Sequence, residues 1–240
     1  MKQSPTADIE LCTGAMMTSY PPQCGGPKLL GEFSWDDVES ERHGGVRWTN
    51  NWYFAVGHYD GAADTFTLTR PLSSEPPAGH SVDEPEPIDF PQLCEDPFRG
   101  GDPDFTDDLE AQETLQRRLE ELDGYVGSWV SDGQNLFNVL VTGDPDASFA
   151  DLREIWPGGL CVEQRDVATE DDVRAAQDAL SEHFEELTIT SSGGGPGVLE
   201  VGVNFADDAT MARIHEIVSE WLAPDQVRIT STFVPLDAQD

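Results

Sequence analysis

Two segments of the chain space their apolar residues three and four positions apart, which is typical of an amphipathic helix. Each segment begins at a threonine followed by acidic residues, at Thr106 and at Thr169, as expected for an N-cap and a first helical turn. The apolar positions that share a face are Leu115, Leu119 and Leu122 in the first segment and Val173, Ala176, Leu180, Phe184 and Leu187 in the second. We therefore predict one helix after each threonine.

Each predicted helix is followed by two strands, a second helix and a third strand. The predicted strands cover 125–130, 136–141 and 160–162 in the first half and 187–190, 198–205 and 227–233 in the second. A glycine-rich turn is predicted at 193–195, between the first two strands of the second half. The second helices are predicted over 145–156 and 208–222. Helices on one face of a short antiparallel or mixed sheet give the α+β class. We predict tandem αββαβ repeats over 106–167 and 168–240.

Residues 9–70 are rich in aromatic residues and turn formers and predict a small β unit. The stretch 52–59 has strand composition, Asp60-Gly61 is a hairpin turn signal, and 65–69 alternates with a period of two. A preceding strand at 46–48 is predicted to turn at Asn50-Asn51. Residues 1–8 are predicted to be a flexible terminus.

Residues 71–105 contain eight of the seventeen prolines of the chain. Proline lacks a backbone donor and has a fixed φ, so this density excludes a helix or a central strand. We predict an extended acidic connector that is anchored near Cys94.

Four cysteines allow three pairings, and reduced thiols or a metal site are the alternatives to disulfides. Cys12 and Cys24 bracket a short loop, which leaves Cys94 and Cys161 to pair over a long separation. The spacing has no CxxC and no nearby histidine pair, which disfavours metal. Two disulfides indicate an oxidising, extracytoplasmic compartment, although the N-terminal residues contain no apolar signal core.

The chain carries 47 acidic and 13 basic side chains, a formal charge of −34. Nucleic acids and anionic membranes need cationic patches, so neither is an expected partner. No apolar run approaches the roughly 20 residues of a membrane-spanning helix. We expect most of the acidic residues to form a solvated surface.

Catalytic and metal motifs are not apparent. The five histidines include no pair at i, i+4, and the serines lack a nucleophile-elbow context. We therefore predict no cofactor and no metal. The candidate binding residues are the aromatic cluster and its neighbours, with a small hydrophobic core as the alternative role: Trp48, Trp52, Tyr53, His58 and Tyr59.

The run CTGAMMTSYPPQCGGPKLLGEFSWDDVE, residues 12–39, resembles a family of uncharacterised exported or lipid-anchored actinobacterial proteins. The later runs GYVGSWVSD and NVLVTGDPDASFADLREIWPGGLCV are similar to the second half of that family. The resemblance implies secretion and no assigned activity. A helix followed by Gly-Ser-Trp-Val-Ser-Asp and an apolar strand is also similar to pro-domains of secreted actinobacterial serine proteases, which implies a small unit that chaperones and inhibits a protease.

These observations predict a non-catalytic extracytoplasmic binding or envelope-associated protein whose partner is a protein or a small ligand. The alternatives are a protease-inhibiting module like a pro-domain and a hydrolase with an unrecognised site. An inhibitor is expected to present its last strand, 227–234, or its tail. An enzyme is expected to gather polar residues with perturbed pKa values in a pocket, and a binding module to expose aromatic residues near Trp52.

Overall fold

A computed structural model describes residues 1–5, 7–13, 17–81, 89–106, 108–131, 133 and 135–236. The protein has the predicted α+β class, with its described strands in three small sheets. The helices are α1 (Leu109–Glu120), α2 (Pro145–Arg153), α3 (Glu170–Ser181) and α4 (Asp208–Val218). None of the described helices has both the length and the apolar character needed to cross a membrane.

Side-chain caps fix where the helices begin. Thr169 caps α3 as predicted, and the Asp172 side chain accepts the reciprocal bond that completes a capping box. The start of α1 differs from the prediction at Thr106. Asp108 is the cap, because its carboxylate accepts bonds from the backbone N–H groups of Glu110 and Ala111.

Two of the three sheets lie in the C-terminal half. Strands β8 (Tyr125–Val130), β9 (Leu136–Val141) and β10 (Gly159–Gln164) form one, and β11 (Ile189–Gly195), β12 (Val198–Val203) and β13 (Val227–Ser231) form the other. In each sheet the middle strand pairs antiparallel with the first strand and parallel with the last. Both halves follow the order α-β-β-α-β. That they are repeats of one unit stays a prediction.

The glycine-rich segment is part of a strand and not the turn that the sequence suggests. Gly194 pairs with Leu199 and Gly195 pairs with Val198, so β11 continues through the glycines. The turn falls at Gly197, whose φ of +75° lies in the left-handed region that glycine adopts readily.

The described residues of the N-terminal sheet form seven strands in the order β4-β5-β1-β2-β3-β7-β6. They are β1 (Lys2–Gln3), β2 (Ile9–Glu10), β3 (Lys28–Leu30), β4 (Glu41–His43), β5 (Val46–Trp48), β6 (Gly57–Asp60) and β7 (Thr65–Leu68). The terminus predicted to be flexible supplies β1, because its backbone pairs with β2 on one side and β5 on the other.

The middle of this unit departs from the predicted strands. The hairpin of β6 and β7 is present, and Asp60 Oδ1 accepts bonds from two backbone N–H groups of its turn. Strand β5, however, pairs with β4 and not with the segment after Asn50-Asn51. The two asparagine side chains instead donate to Glu41 and Glu39. The predicted strand 52–59 is therefore reduced to β6.

Phe233 joins the C-terminal half to the N-terminal sheet. Its ring centroid lies 4.9 Å from that of Tyr59 and 4.8 Å from that of Phe66, beside buried Leu29 and Leu68. The two C-terminal sheets have separate apolar cores, each formed between a sheet and its helices.

The connector lies against the first C-terminal sheet. The Leu93 N–H donates to Asn138 Oδ1 at 2.8 Å, and the Leu160 N–H donates to the Pro97 carbonyl at 2.8 Å. Disulfides Cys12–Cys24 and Cys94–Cys161 are both formed, as predicted. The connector is therefore anchored near Cys94; its residues 82–88 lie outside the described part of the chain.

Candidate functional site

A pocket of about 270 Å³ lies where the Cys12–Cys24 loop meets the hairpin of β4 and β5. We call it the aromatic pocket. Its lining residues are Met17, Thr18, Ser19, Tyr20, Pro22, Glu41, Trp48 and Asn50.

The loop side of the pocket is held by covalent and polar contacts. The disulfide joins the loop ends, and the Met17 N–H donates to the Gln23 carbonyl at 2.8 Å. Lys2 Nζ donates to the Cys24 carbonyl at 3.2 Å and so connects the loop to the sheet. These bonds fix the chain on both sides of Tyr20.

On the hairpin side, the pairing register of β4 and β5 determines which charged side chains face the pocket. Residues directly opposite each other in an antiparallel pair project to the same face of the sheet. Glu41 is opposite Trp48 and lines the pocket with it, whereas Arg42 is opposite Arg47 and projects to the other face. The Arg47 guanidinium donates to Ser40 Oγ and to the Trp35 carbonyl. The hairpin therefore gives the pocket a carboxylate and keeps its two arginines away.

The aromatic surface of the pocket rests on a buried indole. The Tyr20 ring meets Trp48 edge-on with the centroids 5.5 Å apart, and it lies 4.9 Å from the imidazole of His43. Trp48 is only 2% exposed, whereas Tyr20 is 69% and Met17 63% exposed. Such edge-to-face pairs contribute about 1 kcal/mol beyond their buried area. Tyr20 is therefore a solvent-facing ring on a rigid support.

The polar edge of the pocket is formed by Glu41 and Asn50. Asn50 Nδ2 donates to Glu41 Oε1 at 2.6 Å, which orients the carboxylate. Glu41 Oε2 has no bonded partner among the described residues, so it is available to a ligand. Ser19 Oγ donates to the Pro21 carbonyl at 3.0 Å, so its hydroxyl proton is used in a hydrogen bond within the loop.

The sheet order separates the binding residues that the sequence groups together. Trp48 lines the aromatic pocket, but as its buried support. Trp52 is 90% exposed and lies outside the pocket lining, and Tyr53 is half-buried. His58 and Tyr59 are on β6, at the opposite edge of the seven-stranded sheet from β4 and β5. A shared binding role for these residues stays a prediction.

Tyr59 packs and forms a hydrogen bond within the fold. Its ring packs on Phe233, and Asn204 Nδ2 donates to its hydroxyl at 3.4 Å. His58 is exposed on the same strand, opposite Thr67. Sequence reasoning singled out Trp48 and missed the other residues of the pocket lining, among them Met17, Tyr20, Glu41 and Asn50. The only sequence signals for them are the cysteine-bounded loop and the alternation of the hairpin.

A second groove, of about 300 Å³, lies between α3 and strand β8. In it the hydroxyls of Tyr125 and Ser128 lie 2.8 Å apart, and Arg174 donates to both carboxylate oxygens of Glu170. Burial raises the pKa of Tyr125, so its phenol stays protonated. Among the described residues that line this groove, none is a histidine or a cysteine. It therefore assembles no activated nucleophile of the serine–histidine or cysteine–histidine type.

The last strand, β13, and the residues after it are partly bonded to the rest of the protein. Strand β13 is an edge strand, paired in the described sheet only with β12. Beyond it, the Phe233 N–H donates to the Asn204 carbonyl and the Phe233 ring packs against the N-terminal sheet. These contacts with Asn204 and with the N-terminal sheet therefore hold the chain in place as far as Phe233.

Within the described ranges, no three histidine, cysteine, aspartate or glutamate side chains come together as metal ligands. A scan against protein-family models finds no match to this sequence, and a search of curated proteins finds no significant match. The aromatic pocket is therefore the candidate site on its geometry alone.

Proposed function

We propose that this is a non-catalytic extracytoplasmic protein, secreted or associated with the cell envelope, that binds a ligand at the aromatic pocket. The observation that carries the proposal is the exposed Tyr20 ring supported by buried Trp48 beside the oriented carboxylate of Glu41. Binding pockets combine an apolar or aromatic wall with a few placed polar groups, and this pocket does so.

The two disulfides support the choice of compartment. Disulfides form and persist in oxidising environments, and all four cysteines of the chain are paired. One disulfide closes the loop that carries Tyr20, so an oxidising environment also maintains the pocket.

The environment of the pocket supports binding over catalysis. General acid–base catalysis typically uses two titratable groups placed together at the reacting atoms. Glu41 is exposed and hydrogen-bonded to a neutral amide, and the described pocket lining contains no second carboxylate to act with it. Ligand recognition needs only the shape and polarity that are present.

Ligand-observed NMR with a panel of organic amines, neutral sugars and short peptides tests the proposal. We expect at least one class to bind the wild-type protein, to bind Tyr20→Leu about fivefold more weakly, and to be recovered chemically unchanged. The matched control is Phe90→Leu, which removes a 51% exposed ring from the connector. Equal binding by Tyr20→Leu contradicts the proposed site, and conversion of the ligand contradicts the non-catalytic role.

A further inference from the structure

We propose that the aromatic pocket is selective for a primary alkylammonium group, carried by a small amine. This inference rests on the proposed function and adds the chemical class of the ligand. Three features of the pocket support it, namely the placement of charge, the balance of donors and acceptors, and the size.

The charge at the pocket is negative and is not neutralised by the hairpin. Glu41 lines the pocket, while Arg42 and Arg47 lie on the other face of the sheet. The described lining residues include no lysine or arginine, and Lys2, which lies opposite Trp48 on the same face of the sheet, is paired with Glu10 at 3.4 Å. The whole chain carries a formal charge of −34, and such a field raises the local concentration of cations and repels anions. A cationic ligand is therefore favoured over a carboxylate or a phosphate.

The hydrogen-bonding groups favour a ligand that donates protons. Glu41 is an acceptor, and its Oε2 is open to the ligand. The Ser19 hydroxyl proton is already donated to Pro21, and one Asn50 amide hydrogen is already donated to Glu41. A primary ammonium carries three donors and no acceptor, so it complements this edge of the pocket. The Thr18 and Tyr20 hydroxyls, which also line the pocket, can accept as well as donate and are therefore compatible with an ammonium donor.

The aromatic wall and the volume suit the rest of such a ligand. An ammonium group near the face of a tyrosine ring is stabilised by the ring quadrupole, and the Tyr20 ring is 69% exposed at the pocket. The Met17 side chain, 63% exposed, gives an apolar surface for a short alkyl chain. A volume of about 270 Å³ is at the small end for ligand pockets, which fits an amine of a few carbons.

The test compares n-butylammonium with 1-butanol, a neutral molecule of nearly the same shape, by NMR titration at constant ionic strength. We expect n-butylammonium to bind with an about millimolar dissociation constant, because a ligand of so few atoms has a limited affinity. We expect 1-butanol to bind at least about fivefold more weakly. Tetramethylammonium has no N–H donor and is also expected to bind more weakly.

Two substitutions separate the parts of the site. Glu41→Gln and Tyr20→Leu are each expected to weaken n-butylammonium binding about fivefold. Glu113→Gln makes the same change of net charge on the exposed surface of α1, and Phe90→Leu removes an exposed ring elsewhere; both are expected to leave the affinity unchanged. Both pocket substitutions are at exposed residues, so the variants are expected to fold.

Several outcomes would overturn the ammonium assignment. They are equal binding of 1-butanol, equal binding of tetramethylammonium, or a loss in Glu113→Gln as large as that in Glu41→Gln. If a neutral sugar binds in a Tyr20-dependent manner and the amine does not, the assignment fails while the proposed binding function stands. If no member of the panel binds at the pocket, both fail.

Discussion

Removing the two disulfides one at a time is expected to separate stability from ligand binding. Cys94–Cys161 joins the connector to β10 across a separation of 67 residues, whereas Cys12–Cys24 closes a separation of 12. In the chain-entropy model the stabilisation grows with the loop that is closed, to about 4 kcal/mol for the longer loop and about 3 kcal/mol for the shorter. The two bonds therefore differ by about 1.5 kcal/mol in the stability that they contribute.

The effects on ligand binding are expected to have the opposite order, with the larger loss on removal of Cys12–Cys24. The Cys12–Cys24 bond fixes the loop that carries Met17 and Tyr20, so its replacement by serines frees one wall of the pocket. The Cys94–Cys161 bond lies at the first C-terminal sheet, where the bonds of Leu93 and Leu160 also hold the connector. Removing it is expected to lower stability and to leave the binding of n-butylammonium unchanged.

The assay pairs urea unfolding, followed by tryptophan fluorescence, with the NMR titration on each double-serine variant. The free energies of unfolding give the ranking, each obtained with the urea dependence of that variant because the unfolded chain without the bond exposes more surface. Retained binding in the variant without Cys12–Cys24 would refute our account of how Tyr20 is held. So would a stability loss below about 1 kcal/mol for Cys94–Cys161.

Three further predictions concern the rest of the molecule. Phe233→Ala is expected to lower the free energy of unfolding by about 2 kcal/mol, because a partly buried ring loses its contacts with two aromatic side chains. Val234→Ala, at a 64% exposed residue, is expected to change it by less than about 0.5 kcal/mol. Equal effects of the two substitutions in urea unfolding would contradict the docking role of Phe233. The hydrogen bonds from Arg118 lower the pKa of Asp151 below its ordinary value of 3.8, so this carboxylate stabilises the fold at pH values above 3.8 and the contribution is lost as the pH falls through the lower folded-state pKa. Asp151→Asn is therefore expected to be less stable than wild type at pH 7, with a smaller difference at acidic pH; a difference independent of pH would argue against the ion pair. Added NaCl is expected to raise the melting temperature by screening the self-repulsion of a chain of charge −34, and a fall would count against that expectation.

Local patterns were sufficient to predict the α+β class and several boundaries. Thr169 and Asp172 form a capping box within four residues, so the start of α3 depends on neighbouring residues alone. The hairpin after Asp60 is equally local, because the Asp60 carboxylate accepts bonds from its own turn. The disulfide pairing followed from the short loop between Cys12 and Cys24, which left Cys94 and Cys161 as the second pair.

The aromatic pocket could not be predicted in this way, because it depends on long-range pairing. Tyr20 and Trp48 are 28 residues apart in the sequence, and they meet only because β5 pairs with β1 near the closed loop. The same sheet order sends His58 to the opposite edge, although it is only ten residues beyond Trp48. Hydrophobic periodicity carries no information about the order of strands in a sheet, so it grouped residues that the fold separates.

The most direct test of the binding site is the ε-methyl NMR signal of Met17 during titration with n-butylammonium. Met17 lines the aromatic pocket, whereas Met211 lies on α4 in the C-terminal half and provides an internal reference in the same spectrum. Labelling the methionine methyl groups and assigning them with Met17→Leu and Met211→Leu gives both signals. Our account predicts a saturable shift of Met17 with Met211 unmoved. An unchanged Met17 signal, or equal shifts of both, would contradict it.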